Sequence, residues 1–180
     1  MGVYFTQFNN EHSGLAFSFQ VNPDSCDNPE HYENYLRFIA QTDRRIGKGI
    51  THILVHDDSK SNMKAIAGYV TLRTSSLISQ NGDETTGRSA VEIAEIAVDK
   101  LYERRGYGTA LLDFVFLLVD DIRLNTIGVE YIVACADTAS VTFYEKNSFV
   151  RISEHYEVPR EGWNRNCIPM ILKLPELDAK

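Results

Sequence analysis

The residues Glu103-Arg104-Arg105-Gly106-Tyr107-Gly108-Thr109 hold the clearest chemistry in this 180-residue chain. They separate a strand-like apolar run from a long helix-like one. Two glycines one residue apart let the backbone turn tightly, and consecutive N–H groups at a helix start then point at one ligand from the positive end of the helix dipole. That is a cradle for an anion, and a phosphate-bearing cofactor is its natural guest; the bland reading of the same glycines is a plain helix-entry turn. Two commoner glycine loops do not fit. A dinucleotide fingerprint needs a third small residue, yet Gly106-x-Gly108 runs on into Leu111, and no strand-helix-strand unit with a ribose-binding acid follows. A phosphate loop ends in Gly-Lys-Ser or Gly-Lys-Thr, which Gly47-Lys48-Gly49 does not supply.

Other reactive side chains say less. His52 and His56 share a strand face but stand about 13 Å apart, too far to hold one metal, and no metal is expected. His155 reads as a strand residue that could assist proton transfer. Cys26, Cys135 and Cys167 are odd in number and widely spaced, which suggests neither a disulfide framework nor a zinc cluster, so a reducing cytoplasm is the simplest home. Cys135 lies in an apolar run, where a cysteine is ordinarily inert core.

The elements that must position the glycine loop alternate along the chain. Leu15 to Gln20 reads as a first strand. Asn28 and Pro29 supply an N-cap and first helical residue for a helix with a Tyr32, Tyr35, Leu36 and Ile39 stripe, ending near Gly47. Thr51 to His56 and Ala65 to Arg73 read as a hairpin around the turn-rich 57–62 segment, and 79–89 as a polar loop. Val91 to Val98 is the next strand, Gly106 to about Arg123 a helix, and Tyr131 to Ala136 a strand of nearly continuous apolar residues, as a sheet centre requires. A short helix over 140–146 and strands over 149–156 and 168–174 close the chain. This order favours a single α/β domain over residues 1–180, with a mixed central sheet flanked by helices.

Composition agrees. With 43% hydrophobic residues the chain can bury a sizeable core, and its net charge of −7 argues against avid binding to nucleic acid or anionic membrane. The longest apolar-rich run, Ala110 to Val119, contains Asp113 and falls far short of the roughly 20 residues that span a bilayer.

Three segments in this order resemble the GNAT superfamily of acyl-CoA-dependent N-acetyltransferases. Val91-Glu92-Ile93-Ala94-Glu95-Ile96-Ala97-Val98, followed after Tyr102 by Glu103-x-x-Gly106-x-Gly108-Thr109-Ala110-Leu111-Leu112, is similar to that family's motif A, placed at about 91–123. Asp137 to Phe149, with Phe143-Tyr144 near its centre, is similar to motif B, placed at about 131–149. Pro169 to Leu174 is similar to the last strand. The chain departs from the family at Glu103, usually Gln or Arg, at Ser148, usually Gly, and at Asp137, usually Asn. A carboxylate at Glu103 has the wrong charge for a phosphate unless it turns away.

The resemblance implies acetyl-CoA as co-substrate, bound in a cleft between two splayed central strands. Its pyrophosphate suits Arg104, Arg105, Gly106, Tyr107, Gly108, Thr109 and Ala110, although the two arginines also read as a solvated charge pair. Its pantetheine arm pairs like an added strand with the backbone of Ile96, Ala97 and Val98. Asp137 and Phe143 join the cofactor contacts. Tyr144 matches the tyrosine that protonates the leaving sulfur, and Glu92, with Glu95 as rival, matches the base that takes the amine's proton; otherwise they are a packing tyrosine and solvated strand carboxylates. Direct attack in a ternary complex fits better than a covalent intermediate.

The acceptor implied is a primary amine of a small molecule, peptide or protein. The alternative is a toxin-type member that acetylates aminoacyl-tRNA and is held by an antitoxin, because Ala67 to Leu72 in the early hairpin resembles such members; the acidity stands against it. A non-catalytic acyl-CoA-binding module is the alternative of another class. A homodimer is common in the resembled family.

Overall fold

The computed structural model describes residues 2–58, 63–81, 83–152, 156–157 and 167–177. Helices accompany a mixed sheet whose strands run in the order Gly2–Gln7, Ile50–Asp58, Met63–Asn81, Glu84–Val98, Tyr131–Ala136, Ile168–Lys173 and Val150–Arg151, with Tyr156–Glu157 beside Met63–Asn81. The chain forms two compact units, Met1–Arg73 with Ile93–Phe116, and Thr74–Glu92 with Leu117–Lys180.

In the first unit, β1 (Gly2–Gln7) pairs antiparallel with β2 (Ile50–Asp58), which pairs antiparallel with β3 (Met63–Asn81). The register shifts between Leu54, opposite Gly68, and Val55, opposite Ile66, so Ala67 is the extra residue of a β-bulge. The strand expected over Leu15–Gln20 is absent: Ser13–Ala16 forms helix α1, and Ser18 and Phe19 donate their N–H groups to the carbonyls of Leu15 and Ala16. Ala16 and Phe19 are buried, three residues apart, while Phe17 between them is 61% exposed, so the short apolar run follows helical rather than strand spacing.

Helices α2 (Pro29–Asn34) and α3 (Ala40–Arg45) continue one another through a π turn, Tyr35–Ile39. Asn28 caps α2 by accepting from the His31 N–H, Pro29 takes the first helical position, and Gly47, at φ 73°, ends the helical run as expected. The π turn inserts one residue, closing on the bond from Ala40 N–H to the Tyr35 carbonyl. It rotates the apolar face, so that Tyr35, Leu36 and Ala40 enter the core while Ile39, expected in the stripe, is 43% exposed. Phe8, Phe19, Ile53, Val55, Ile66, Tyr69 and Ala97 complete this core.

β4 (Glu84–Val98) and α4 (Tyr107–Asn125) carry the glycine loop between them. Leu111, Leu112, Val115 and Val119 are fully buried at i, i+1, i+4 and i+8, the stripe that holds an amphipathic helix, each burial contributing about 1.5–3 kcal/mol. Phe114 stacks on Phe5 with centroids 4.2 Å apart.

In the second unit, β3 runs on to Asn81 and β4 starts at Glu84, so strand occupies most of the expected 79–89 loop. Residues 84–89 are exposed, which explains their polar composition. β5 (Tyr131–Ala136) is the expected strand and pairs antiparallel with β8 (Ile168–Lys173), which also pairs with β6 (Val150–Arg151). β7 (Tyr156–Glu157) pairs antiparallel with β3. A 3-10 turn, Thr138–Ser140, leads into α5 (Val141–Lys146). Leu77, Ala90, Tyr131, Val133 and Ile171 form the core. The 59–62 turn, His155 and residues 158–166 lie outside the described residues.

Two of the three cysteines are paired, against the expectation of no disulfide. Cys135 and Cys167 are disulfide-bonded with Cα atoms 5.5 Å apart, and Cys26 lies outside that bond. The β5–β8 register sets Cys135 opposite Pro169 and Ala136 opposite Ile168, which brings the two cysteines together across 32 residues of sequence. Spacing alone does not encode that meeting.

Candidate functional site

The glycine loop is built as its sequence suggests, with one addition. Gly106 takes φ 81° and Arg104 takes φ 58°, both in the left-handed region that relieves glycine but strains an arginine. The α4 ladder starts with Ala110 N–H donating to the Gly106 carbonyl at 2.9 Å. The N–H groups of Tyr107, Gly108 and Thr109 therefore lie in the first turn, where an α-helix supplies no backbone acceptor. Arg104, Arg105 and Thr109 are exposed, and Tyr107, Gly108 and Ala110 half-buried.

Glu103 is turned to a partner of its own. Its Oε2 accepts from Asn22 Nδ2 at 2.9 Å, across 81 residues of sequence. The loop base is tied down by Asp99, which is buried and accepts from Gln20 N–H at 2.9 Å and from Leu101 N–H at 2.9 Å. Beside it, Arg105 lies over the Tyr102 ring at 5.8 Å, and Tyr102 also meets the rings of His56 and Tyr107. Burial, then the nearby Asp99 carboxylate, raise the Tyr102 phenol above its usual value.

The end of β4 is held at close range. Ile96 and Val98 are half-buried and Ala97 buried, and Asp99 N–H donates to the Ala67 carbonyl at 3.0 Å, beside the bulge in β3. Just before this segment, Glu95 meets a residue that sequence reasoning missed: His31 Nε2 lies 3.0 Å from Glu95 Oε1 and 3.1 Å from Oε2. The contact joins residues 64 apart, and nothing in the spacing of either segment signals it. Tyr32, next to His31, accepts at its carbonyl from the Tyr69 hydroxyl at 2.9 Å, and Tyr35 donates to Asp43 Oδ2 at 3.0 Å. Burial raises both Tyr69 and Tyr35 well above the ordinary phenol value, so these hydroxyls serve as donors.

In the second unit, Asp137 caps the 3-10 turn through its carbonyl, which accepts from Ser140 N–H at 2.8 Å. Phe143 is half-buried, and Tyr144 is buried with its ring edge-on to Phe149 at 5.2 Å. Helix α5 ends with Phe149 N–H donating to the Tyr144 carbonyl and Ser148 N–H to the Glu145 carbonyl, a Schellman closure. Ser148 takes φ 68° there, so a serine does make the turn that glycine usually makes. Glu92 is 2% exposed. Among the described residues no group of three or more His, Cys, Asp or Glu could hold a metal ion, and no helix is long and apolar enough to cross a membrane.

The sequence matches the acetyltransferase (GNAT) domain family over residues 48–151, more than half of the chain. The chain belongs to the GNAT acetyltransferase family. That match takes in the expected site residues from Glu92 to Tyr144 and leaves out His31 and Asn22. No curated protein matches this GNAT chain. It is similar to the structure of a tyrosine-to-phenylalanine variant of the toxin AtaT bound to the C-terminus of the antitoxin AtaR and acetyl-CoA, at 14% identity and TM-score 0.72, covering 95% of this chain and 92% of that one. A tyrosine-to-phenylalanine variant of KacT is similar at 14% identity and TM-score 0.73, covering 96% and 95%. AtaT complexed with acetyl-methionyl-tRNAfMet is similar at 15% identity and TM-score 0.71, covering 93% and 94%. At these identities the likeness is one of fold, and the GNAT chain's chemistry must be argued from its own residues.

Proposed function

We propose that the chain is an N-acetyltransferase that moves the acetyl group of acetyl-CoA to a primary amine of a small molecule, peptide or protein by direct attack in a ternary complex. The observation that carries this reading is the left-handed Gly106 turn feeding α4, whose ladder begins only at Ala110. The first-turn N–H groups then suit a pyrophosphate, with the exposed Arg104 and Arg105 adding charge. Ile96, Ala97 and Val98 offer strand backbone to the pantetheine amides. Asp137 and Phe143 complete the cofactor contacts. AtaT, similar in fold, is seen with acetyl-CoA, which supports the same co-substrate here.

Two proton movements accompany the transfer. An amine of ordinary pKa about 10.4 must lose a proton to attack, and the departing thiolate gains one. In this reading Tyr144 supplies the sulfur's proton and a carboxylate of β4, Glu92 or Glu95, serves on the base side.

A second reading has an observation in its favour. AtaT and KacT match over nearly the whole of both chains, and AtaT is seen with acetyl-methionyl-tRNAfMet, which supports an aminoacyl-tRNA acceptor and an antitoxin partner. The net charge of −7 favours the small-amine or peptide acceptor. Labelled acetyl-CoA incubated with the protein and fractionated cell extract separates them. Label in small molecules or protein supports the first reading and label in charged tRNA the second. Label in none, with acetyl-CoA bound, overturns both and leaves a non-catalytic binding module.

A further inference from the structure

We propose that His31, oriented by Glu95, is the group that takes the proton from the acceptor amine. The inference rests on the acetyl-transfer reading and assigns its base. Both Glu95 oxygens lie within 3.0 to 3.1 Å of the same nitrogen, His31 Nε2. A carboxylate only accepts, so Nε2 carries the proton of this contact and the lone pair of the neutral ring falls on Nδ1. A carboxylate behind an imidazole fixes its tautomer and steadies the imidazolium that forms when the other nitrogen takes a proton.

The order of exposure suits those roles. The Glu95 side chain is 15% exposed and that of His31 46%, so the carboxylate is the more buried member of the pair and the ring the more exposed. Glu95 directly precedes Ile96, Ala97 and Val98, the backbone assigned to pantetheine, so the pair stands beside the strand that would deliver the thioester. The ring is held in place from its own side as well. His31 backbone N–H donates to the Asn28 cap, the ring meets Tyr32 edge-on at 5.2 Å, α2 is tied to the preceding segment by Val21 N–H to Glu33 at 3.1 Å, and the π turn that follows is tied to it by Arg37 to the Phe19 carbonyl at 2.7 Å.

The neutral amine nitrogen bonds to the thioester carbonyl carbon and passes one proton to His31 Nδ1, the carbon–sulfur bond breaks, and the sulfur takes a proton from Tyr144. Products are the N-acetylated amine and CoA thiol, with His31 left as imidazolium and Tyr144 as phenolate until water exchanges the proton between them. His31 is the catalytic residue here and Glu95 a positioning residue.

The experiment is transfer of label from acetyl-CoA into the acceptor pool by wild type, His31→Ala and Glu95→Gln, with and without added free imidazole, beside the melting shift that acetyl-CoA induces. His31→Ala is expected to lose roughly a hundredfold in kcat, keep its melting shift, and regain part of the rate with free imidazole. Glu95→Gln, whose amide oxygen still accepts from Nε2, is expected to lose less and to gain nothing from imidazole. If His31→Ala does not fold, His31→Gln replaces it with the same expected loss. A His31 variant within about threefold of wild type, or a loss that imidazole does not relieve, overturns the proposal while wild-type transfer stands. No transfer by wild type removes the acetyl-transfer reading itself, and this assignment with it.

Discussion

Gly68 and Ala97 come so close that a Cβ on Gly68 would stand 3.0 Å from the Ala97 carbonyl oxygen and 2.9 Å from Leu111 Cδ1. One contact is backbone and the other belongs to a fully buried leucine, so neither yields cheaply. A hydrogen atom at position 68 lets β3 press against the strand segment assigned to the cofactor and against α4.

Gly68→Ala is therefore expected to cost about 1–3 kcal/mol in urea denaturation and to weaken acetyl-CoA binding, since the Ala97 backbone must move. Unchanged stability would mean that the close approach relaxes without cost.

The loop itself gives an opposed pair of substitutions. Gly108→Val puts a branched side chain into the first turn of α4 and is expected to weaken acetyl-CoA binding by about tenfold with little loss of folding. Glu103→Gln keeps an acceptor for Asn22 while removing a negative charge near the expected phosphates, and should tighten binding by about two- to threefold at low salt, less at high salt. Titration calorimetry at two ionic strengths reads both. Equal affinity for all three proteins would move the pyrophosphate elsewhere.

Ser148 holds a left-handed backbone at the end of α5. Ser148→Gly is expected to raise stability by about 1 kcal/mol, seen as a higher Tm, because glycine adopts that conformation without the Cβ clash.

His52 is buried against Phe114, with ring centroids 4.9 Å apart, and burial followed by the Arg44 charge lowers its pKa below the ordinary 6.5. Above that ordinary value the imidazole is neutral in both folded and unfolded states, and its contribution is fully present. As pH falls below it, the unfolded chain takes up a proton that the fold refuses, and stability is lost until the lowered folded value is reached. Between about pH 7.5 and pH 5.5 wild type should lose more Tm than His52→Leu. Equal losses would exclude His52 as the source.

Thiol counting checks the cysteine pairing. Without reductant, a maleimide should label Cys26 alone in denatured protein, and after reduction all three cysteines. Three labels before reduction would show Cys135 and Cys167 to be unpaired.

Much of the fold was legible where a strong local signal existed. The buried run of β5, the stripe of α4 behind its glycine turn, and the Asn28-Pro29 start of α2 each carry their period or cap in a few adjacent residues. Elements without such a signal were missed or misplaced. β1 exposes Val3 and Tyr4 and shows no clean alternation, and residues 84–89 are polar because they are exposed within a strand. The glycine loop was readable for the same local reason. Its partners were not: Asn22 reaches Glu103 and His31 reaches Glu95 over 81 and 64 residues, distances at which only the folded topology makes neighbours.

The bond between Cys135 and Cys167 turns the intervening chain into a closed ring, and α5 with Tyr144 lies on it. A helix on a ring cannot peel away as a loose end. A single cut between those cysteines leaves one covalent molecule with both pieces still tethered, whereas a cut elsewhere releases a fragment. Closing a loop of 32 residues also removes roughly 3–4 kcal/mol of disorder from the unfolded chain in the loop-closure account, so a thiol reductant and a protease should act on this segment as a pair.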